Sequence, residues 1–340
     1  MLSKFPVLRV PQMVLTEIIN QIELGDLIAL SLCSRNMFVL AQSHRTNMNE
    51  MELGMSCLAN EDYKISCYGK VGGRMTGTPI LTVSNVEDLN SETTVTVKII
   101  NQCIPVFVGR DGERLRTFCL DRVSGIQEMT RYVSKLLKKE GIKVAYLDES
   151  SLWLPDWVKT VQPRLPVAKV QSNESFNQEQ YEQVLEKCEA IGVILHAKPP
   201  QSFEFKNEFL ERKFIFIRYG FWISLEHLLN MRIPYVDIQD SKLTSADLNA
   251  FLKHWLRGGS LQLEYLSVNF DGNPDIVFHG LREKMVLIEK ARRVILKAIH
   301  GKVITFGGGI EFRQANGRRA TIARAPKQFV MAVGDDFIET

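Results

Sequence analysis

Apolar residues near the start of the chain recur at helical spacing. Val14, Ile18 and Ile22 fall one turn apart on one face, and Leu15 and Ile19 form a second stripe beside it. The first helix is therefore apolar over more than the usual arc. Pro11 suits its start, where a missing N–H costs nothing. A second short helix is predicted through Leu27, Leu30 and Leu32 with Asp26 as its cap, and a third, capped by Ser34, through Met37, Phe38 and Leu40. Three pieces this short carry more apolar surface than they can hide among themselves, so they need a cover. The expectation is that this cover is a foreign chain.

Residues 41–61 read as a polar connector. From Tyr63 to Leu120 the period changes to two: Tyr63 to Tyr68, Pro79 to Val83, Thr93 to Ile100, Val106 to Val108 and Leu115 to Leu120, with Gly109 to Gly112 as a hairpin turn. The helical period returns at Ile126, Met129, Val133, Leu136 and Leu137, ending near Gly141 before a strand at Ile142 to Leu147. Strands are then predicted at Val167 to Val170, Val193 to His196, Phe214 to Tyr219, Tyr235 to Gln239 and Tyr265 to Phe270. Helices lie between them at Gln178 to Ala190, Ile223 to Leu229 and Ser245 to Leu256. This alternation predicts repeating β-α units with right-handed crossovers, spaced roughly as in leucine-rich repeats. Thr244 and Asp247 make a capping-box pair for the last helix, whose Leu248, Phe251, Leu252 and Trp255 share a face that Gly258 ends. Leu281, Met285, Ile288, Ile295 and Ile299 predict a further helix. Strands at 303–306, 309–312, 320–323 and 329–333 follow, with a turn at Gln314 to Gly317. The fold class is α+β or α/β: short N-terminal helices, then a mixed β and β-α, leucine-rich-repeat-like domain.

Composition narrows the function. The 340 residues are 45% hydrophobic and 24% charged, the range of a globular protein with no membrane-length apolar run. Pro6, Pro11 and the early basic residues argue against a signal peptide, and six cysteines without paired spacing read as reduced thiols in cytoplasm or nucleus. Net charge is +3, too weak to call for a polyanion partner. From Gly280 onward, however, twelve Lys and Arg face six Asp and Glu, and Arg292, Arg293, Arg318 and Arg319 could neutralise phosphates. No nucleic-acid reader motif accompanies them.

No catalytic constellation emerges. The six histidines are dispersed, and no Cys-x-x-Cys or His-x-x-x-His pair offers zinc spacing. Gly69 to Arg74 lacks the Gly-Lys-Ser/Thr ending of a phosphate loop, and Gly307 to Gly309 lacks a following lysine, so both read as turns. Asp121, Asp335 and Asp336 read as solvated carboxylates, and His196 as a core or rim histidine after a strand. The expectation is a protein that is not an enzyme and takes no cofactor and no metal.

Val10-Pro11, the apolar positions Val14, Leu15, Ile18, Ile22, Leu27, Leu30 and Leu32, and the tract Leu32-Cys33-Ser34 resemble the F-box. Phe38 stands where that motif often carries Trp. An F-box docks on a Skp-type adaptor, which links it to a cullin ubiquitin ligase. The resemblance implies adaptor contacts by Leu8, Val10, Pro11, Val14, Leu15, Ile18, Ile22, Leu27, Leu30 and Cys33. The run from Tyr235 through Phe251 and Trp255 to Leu263-Glu-Tyr-Leu-Ser-Val268 resembles the type 2 F-box-associated domain, a family expanded in nematodes. That likeness is good over Ile142 to Phe270 and loose beyond. It implies an F-box over 1–45, a connector over 46–62 and an F-box-associated domain over 63–340. The last divides into a mainly β part (63–123), repeating β-α units (124–270), and a helix followed by strands (271–340). The implied role is a non-catalytic substrate receptor, with a protein target that the residues do not name. Two other readings stay open: a non-ligase scaffold whose first helices pack on their own protein, and a protein that binds nucleic acid through its basic C-terminal face.

Overall fold

The computed structural model describes residues 10–46, 51–71, 74–89, 94–99, 102–108, 115–172, 176–296, 302–323, 327–334 and 337–339. Leu8, the turn at 109–112, Ile299, Asp335 and Asp336 lie outside the described residues. Mixed helix and strand make the protein α+β, and the chain divides into two compact units, 1–165 and 166–340.

The first unit begins with α1 (Gln12–Gln21), α2 (Leu24–Cys33) and α3 (Arg35–His44). Its strands are β1 (Glu52–Cys57), β2 (Tyr63–Val71), β3 (Arg74–Asn85), β4 (Thr94–Ile99), β5 (Gln102–Phe107) and β6 (Arg116–Cys119). They are followed by α4 (Arg122–Leu136), β7 (Val144–Leu147) and α5 (Leu154–Lys159). Within this unit the strands lie in the order β7-β1-β2-β3-β6-β5-β4. The connector expected over 46–62 is thus corrected: β1 is an interior strand, antiparallel to β2 and parallel to β7. Leu53, Met55 and Cys57 alternate into the core. Met and Cys carry weak strand propensity, and Gly54 and Ser56 between them made the segment look polar. Asp121, expected to be a solvated carboxylate, is exposed and is also the N-cap of α4, accepting from Val123 N and Ser124 N at 3.0 Å each. The Ser124 hydroxyl, which also donates to Asp121, and then these backbone donors hold its carboxyl below the usual carboxylate range.

The second unit contains β8 (Val167–Val170), α6 (Gln178–Glu186), β9 (Gly192–Leu195), β10 (Phe214–Ile217), α7 (Leu225–Asn230), β11 (Tyr235–Ile238), α8 (Ser245–Leu256) and β12 (Tyr265–Asn269). β8 to β12 lie side by side in chain order, each parallel to the next. Right-handed crossovers between strands laid down in order place every connection on the same face. The residues of that face, Ala168, Val170, Val193, Leu195, Ile215, Ile217, Val236, Ile238, Leu266 and Val268, are all buried. The opposite face carries the row Val167, Gly192, Phe214, Tyr235 and Tyr265. Gly192 is required there because the Phe214 ring occupies the place of its Cβ, 2.0 Å away. Tyr235 and Tyr265 stack at 4.5 Å.

Beyond α9 (Pro274–Val277) the chain returns through β13 (Val286–Ile288), β14 (Arg292–Leu296), β15 (Lys302–Phe306), β16 (Gly309–Arg313), β17 (Arg319–Ala323), β18 (Gln328–Val333) and β19 (Phe337–Glu339). β18 runs antiparallel beside β12 and continues the sheet through β17 and β16 to β13, while β15, β14 and β19 form a separate small sheet. The helix expected through Leu281, Met285, Ile288 and Ile295 is therefore corrected to β13 and β14. Val294 and Ile295 are β-branched and pair with Ile304 and Val303 across a hairpin, an alternative that helical spacing alone did not weigh. The small sheet folds back onto the larger one: Phe306 and Ile304 pack on Phe214, Tyr235 and Tyr265.

Candidate functional site

The three N-terminal helices have two unlike faces. Inward point Leu15, Ile19, Leu27, Ile28 and Leu32, with Leu27 and Ile28 fully enclosed. Outward point Met13, Val14, Leu30 and Val39, exposed by 82%, 47%, 39% and 50%. Pro11 and Cys33 are also exposed, and Val10, Ile18 and Ile22 are half-buried. Of the expected adaptor contacts, Leu15 and Leu27 therefore lie in the protein's own core, where no partner reaches them while the fold stands. Pro11, Val14, Leu30 and Cys33 form an outer set, with Val10, Ile18 and Ile22 at its margin. The stripe that faces the core is Leu15 and Ile19, not Val14, Ile18 and Ile22.

The cover for the inner face comes from the same unit, which corrects the expectation that only a foreign chain could supply it. The Tyr132 hydroxyl on α4 meets the Ser31 hydroxyl on α2 at 2.9 Å, and the Tyr132 ring packs against Phe38 on α3 at 5.3 Å. Gln42 Nε2 donates to Lys135 O at 2.8 Å. α2 lies against β3 at Gly25, where an added Cβ would make an ordinary contact 3.6 Å from Ile80 O.

Internal polar contacts fix the helices to one another. Arg45 Nη1, just past α3, donates to Ile19 O, Asn20 O and Ile22 O at 2.7, 2.9 and 2.8 Å, closing the C-terminal end of α1. Burial lowers the Arg45 pKa from its usual value. Thr16 Oγ1 lies 2.8 Å from His44 Nδ1. Ser34 caps α3 as expected, accepting from Met37 N at 3.1 Å. Asp26 caps nothing; α2 starts two residues earlier, and Asp26 sits in its first turn. Spacing identified the apolar stripes, but Arg45 and Tyr132 carry no sequence signal, because both act through contacts distant along the chain. Met13 and Val39 were missed as exposed apolar positions because neither continues a stripe.

What the arrangement offers is a set of exposed apolar side chains on firmly mounted helices. Among the described residues no group of three or more His, Cys, Asp or Glu could hold a metal ion. No described helix is long and apolar enough to cross a membrane.

Comparison with known proteins adds a family match over one segment of the chain. Residues 204–268 match the model of the F-box associated family, a segment that runs from before β10 to the end of β12. The chain is also similar to the Skn-1 dependent zygotic transcript 15 protein of Caenorhabditis elegans, 23% identical over 286 residues that make up 80% of each chain. A shorter stretch of 54 residues is 41% identical to the E3 ubiquitin-protein ligase hecw-1 of the same organism. It covers 16% of this chain and 4% of that protein. No solved structure matches.

Proposed function

We propose that this chain is the target-recognition subunit of a cullin-based ubiquitin ligase in the cytoplasm or nucleus, without catalysis of its own. The outer face of α1 to α3 docks on a Skp-type adaptor, and the second unit, a leucine-rich-repeat-like β-α ladder, receives a protein target. The observation that carries the reading is the pairing, within one sequence, of an outward apolar helical surface with a segment matching the F-box associated family. The ubiquitin-ligase name of one relative is consistent with that setting. Exposed apolar residues are what a permanent interface covers, and such interfaces bury on the order of 2,000 Å².

The test is capture of a purified Skp-type adaptor by the full chain. The wild type is expected to retain it, and the double variant Val14→Asp with Leu30→Asp to lose it while melting at nearly the same temperature, because both positions face solvent. Leu27→Asp is the wrong probe, since it buries a carboxylate and unfolds the unit. Retention by the double variant, or no retention by the wild type, overturns the proposal.

A further inference from the structure

The face of the parallel ladder opposite its crossovers is covered along only part of its length. Phe306 and Ile304 close over Phe214, Tyr235 and Tyr265. Two residues further along β8 to β11, at the carboxyl ends, the rungs are Lys169, Ile194, Phe216 and Asp237, all half-buried, while Ser267 on β12 is buried. The ladder continues past the formal strand ends, since His196 N donates to Val170 O at 2.8 Å, Arg218 N to Leu195 O at 3.0 Å and Gln239 N to Ile217 O at 2.8 Å. His196 and Arg218 therefore lie on this same face, and the His196 ring meets the Phe216 ring edge-on at 5.2 Å.

Cations gather here. Arg218 and Lys198 are exposed and share the Tyr219 ring, at 5.7 and 6.0 Å from its centroid, while Lys242 stands 5.5 Å over Phe221. Burial first, and then the charges of Arg218 and Lys169, disfavour the charged form of His196. Among the described residues, neither Arg218 nor Lys198 belongs to an ion pair. Like charges on neighbouring rungs repel, a cost that an arriving anion removes. In open α/β sheets the carboxyl ends of the strands are where ligands settle.

We infer that this surface binds an acidic stretch of a protein partner, with Arg218 and Lys198 as the charged contacts and Phe216 and His196 as the floor. Asp237 on the neighbouring rung and the exposed Asp240 beyond it interrupt the positive surface. They favour a peptide with spaced carboxylates over the unbroken charge of a nucleic-acid backbone. The inference rests on the target-recognition reading and gives it a partner chemistry.

The experiment measures fluorescence anisotropy of a labelled peptide of about eight glutamates on the full chain, between about 50 and 200 mM salt. An equivalent lysine peptide and an oligothymidylate serve as comparisons. The glutamate peptide is expected to bind, to weaken as salt rises, and to lose roughly ten-fold or more in affinity when Arg218→Glu and Lys198→Glu are combined. The variant Arg218→Lys with Lys198→Arg keeps the charge and is expected to stay near wild type. No glutamate binding, binding indifferent to charge reversal, or tighter binding of oligothymidylate overturns the inference. Adaptor capture by the wild-type chain, measured beside its own glutamate-peptide binding, separates the two proposals. If the adaptor is held and the peptide is not, only this inference falls. If the peptide is held and the wild type captures no adaptor, the ligase reading falls and the acidic-peptide surface stands.

Discussion

The hydroxyl of Tyr132 on α4 lies 2.9 Å from that of Ser31 on α2, across 101 residues of sequence. Ser31 also donates to Ile28 O at 2.7 Å, so Tyr132 is the donor of the pair and Ser31 its acceptor. This contact, with the Tyr132 ring against Phe38, ties the outward apolar surface of the three helices to the sheet unit beneath. Tyr132→Phe removes one hydrogen bond and leaves the ring, at a cost of about 1 kcal/mol. Tyr132→Ala also empties the place where Phe38 packs and costs about 2–3 kcal/mol, somewhat less than for a fully buried aromatic. Denaturant unfolding measures both. The Ala variant should also show faster proteolysis ahead of residue 46, because the helices lose their anchor.

Arg45 supports the same helices from the opposite side. One guanidinium nitrogen serves three carbonyls at the end of α1, where the helix has no further N–H to offer them. Arg45→Met keeps the aliphatic stem and removes the donors, which separates hydrogen bonding from packing. It is expected to lower stability by about 1–2 kcal/mol, discounted for the solvent that still reaches the site. Adaptor capture should weaken in parallel with unfolding of the helices and not before it, since Arg45 shapes the surface rather than contacting a partner.

The regular parts of the fold were legible. Phe214 to Tyr235 to Tyr265 gave the β-α rhythm because each strand is short, apolar and bounded by polar turns. Thr244 and Asp247 gave a helix start at Ser245, where the structure has a full capping box. What failed was decided by partners far along the chain. β1 was invisible because its register is set by β2 and β7, and β14 because β15 outbids a helical stripe. The outward face of the helices was half legible: spacing found the apolar residues, but which stripe turns inward depended on Tyr132 and the rest of α4.

His196 gives a pH dependence with a definite sign. Desolvation, then the charge of Arg218, then that of Lys169, hold its pKa below the usual 6.5, although solvent reaches the residue. The unfolded chain therefore takes up this proton at a higher pH than the folded one. As pH falls through 6.5 the unfolded state is favoured, and the loss levels off once the pH is below the folded value. His196→Gln should flatten this part of the stability profile. Arg218→Gln should move the His196 titration, followed by NMR, back toward higher pH.

Gln314 closes the far end of α8. Its Nε2 donates to Trp255 O at 2.7 Å and Gly259 O at 2.9 Å, and Ala315 N donates to Leu256 O at 3.1 Å. The turn from β16 to β17, with Gly317 at φ +92°, thus seals the C-terminal carbonyls of a helix whose Trp255 is fully buried. Gln314→Leu keeps the size but deprives those carbonyls of a donor, for about 1–2 kcal/mol. Gln314→Glu does more harm at neutral pH: it points a carboxylate at two carbonyls and at the negative end of the helix dipole, for about 3 kcal/mol or more. That carboxyl would have a raised pKa in the folded state, so the Glu variant should regain stability as pH falls toward the protonated form. The Leu variant should not. Thermal unfolding of both variants across the acidic range tests this, and a Glu variant that fails to recover on acidification would show that the amide does not face the helix end as described.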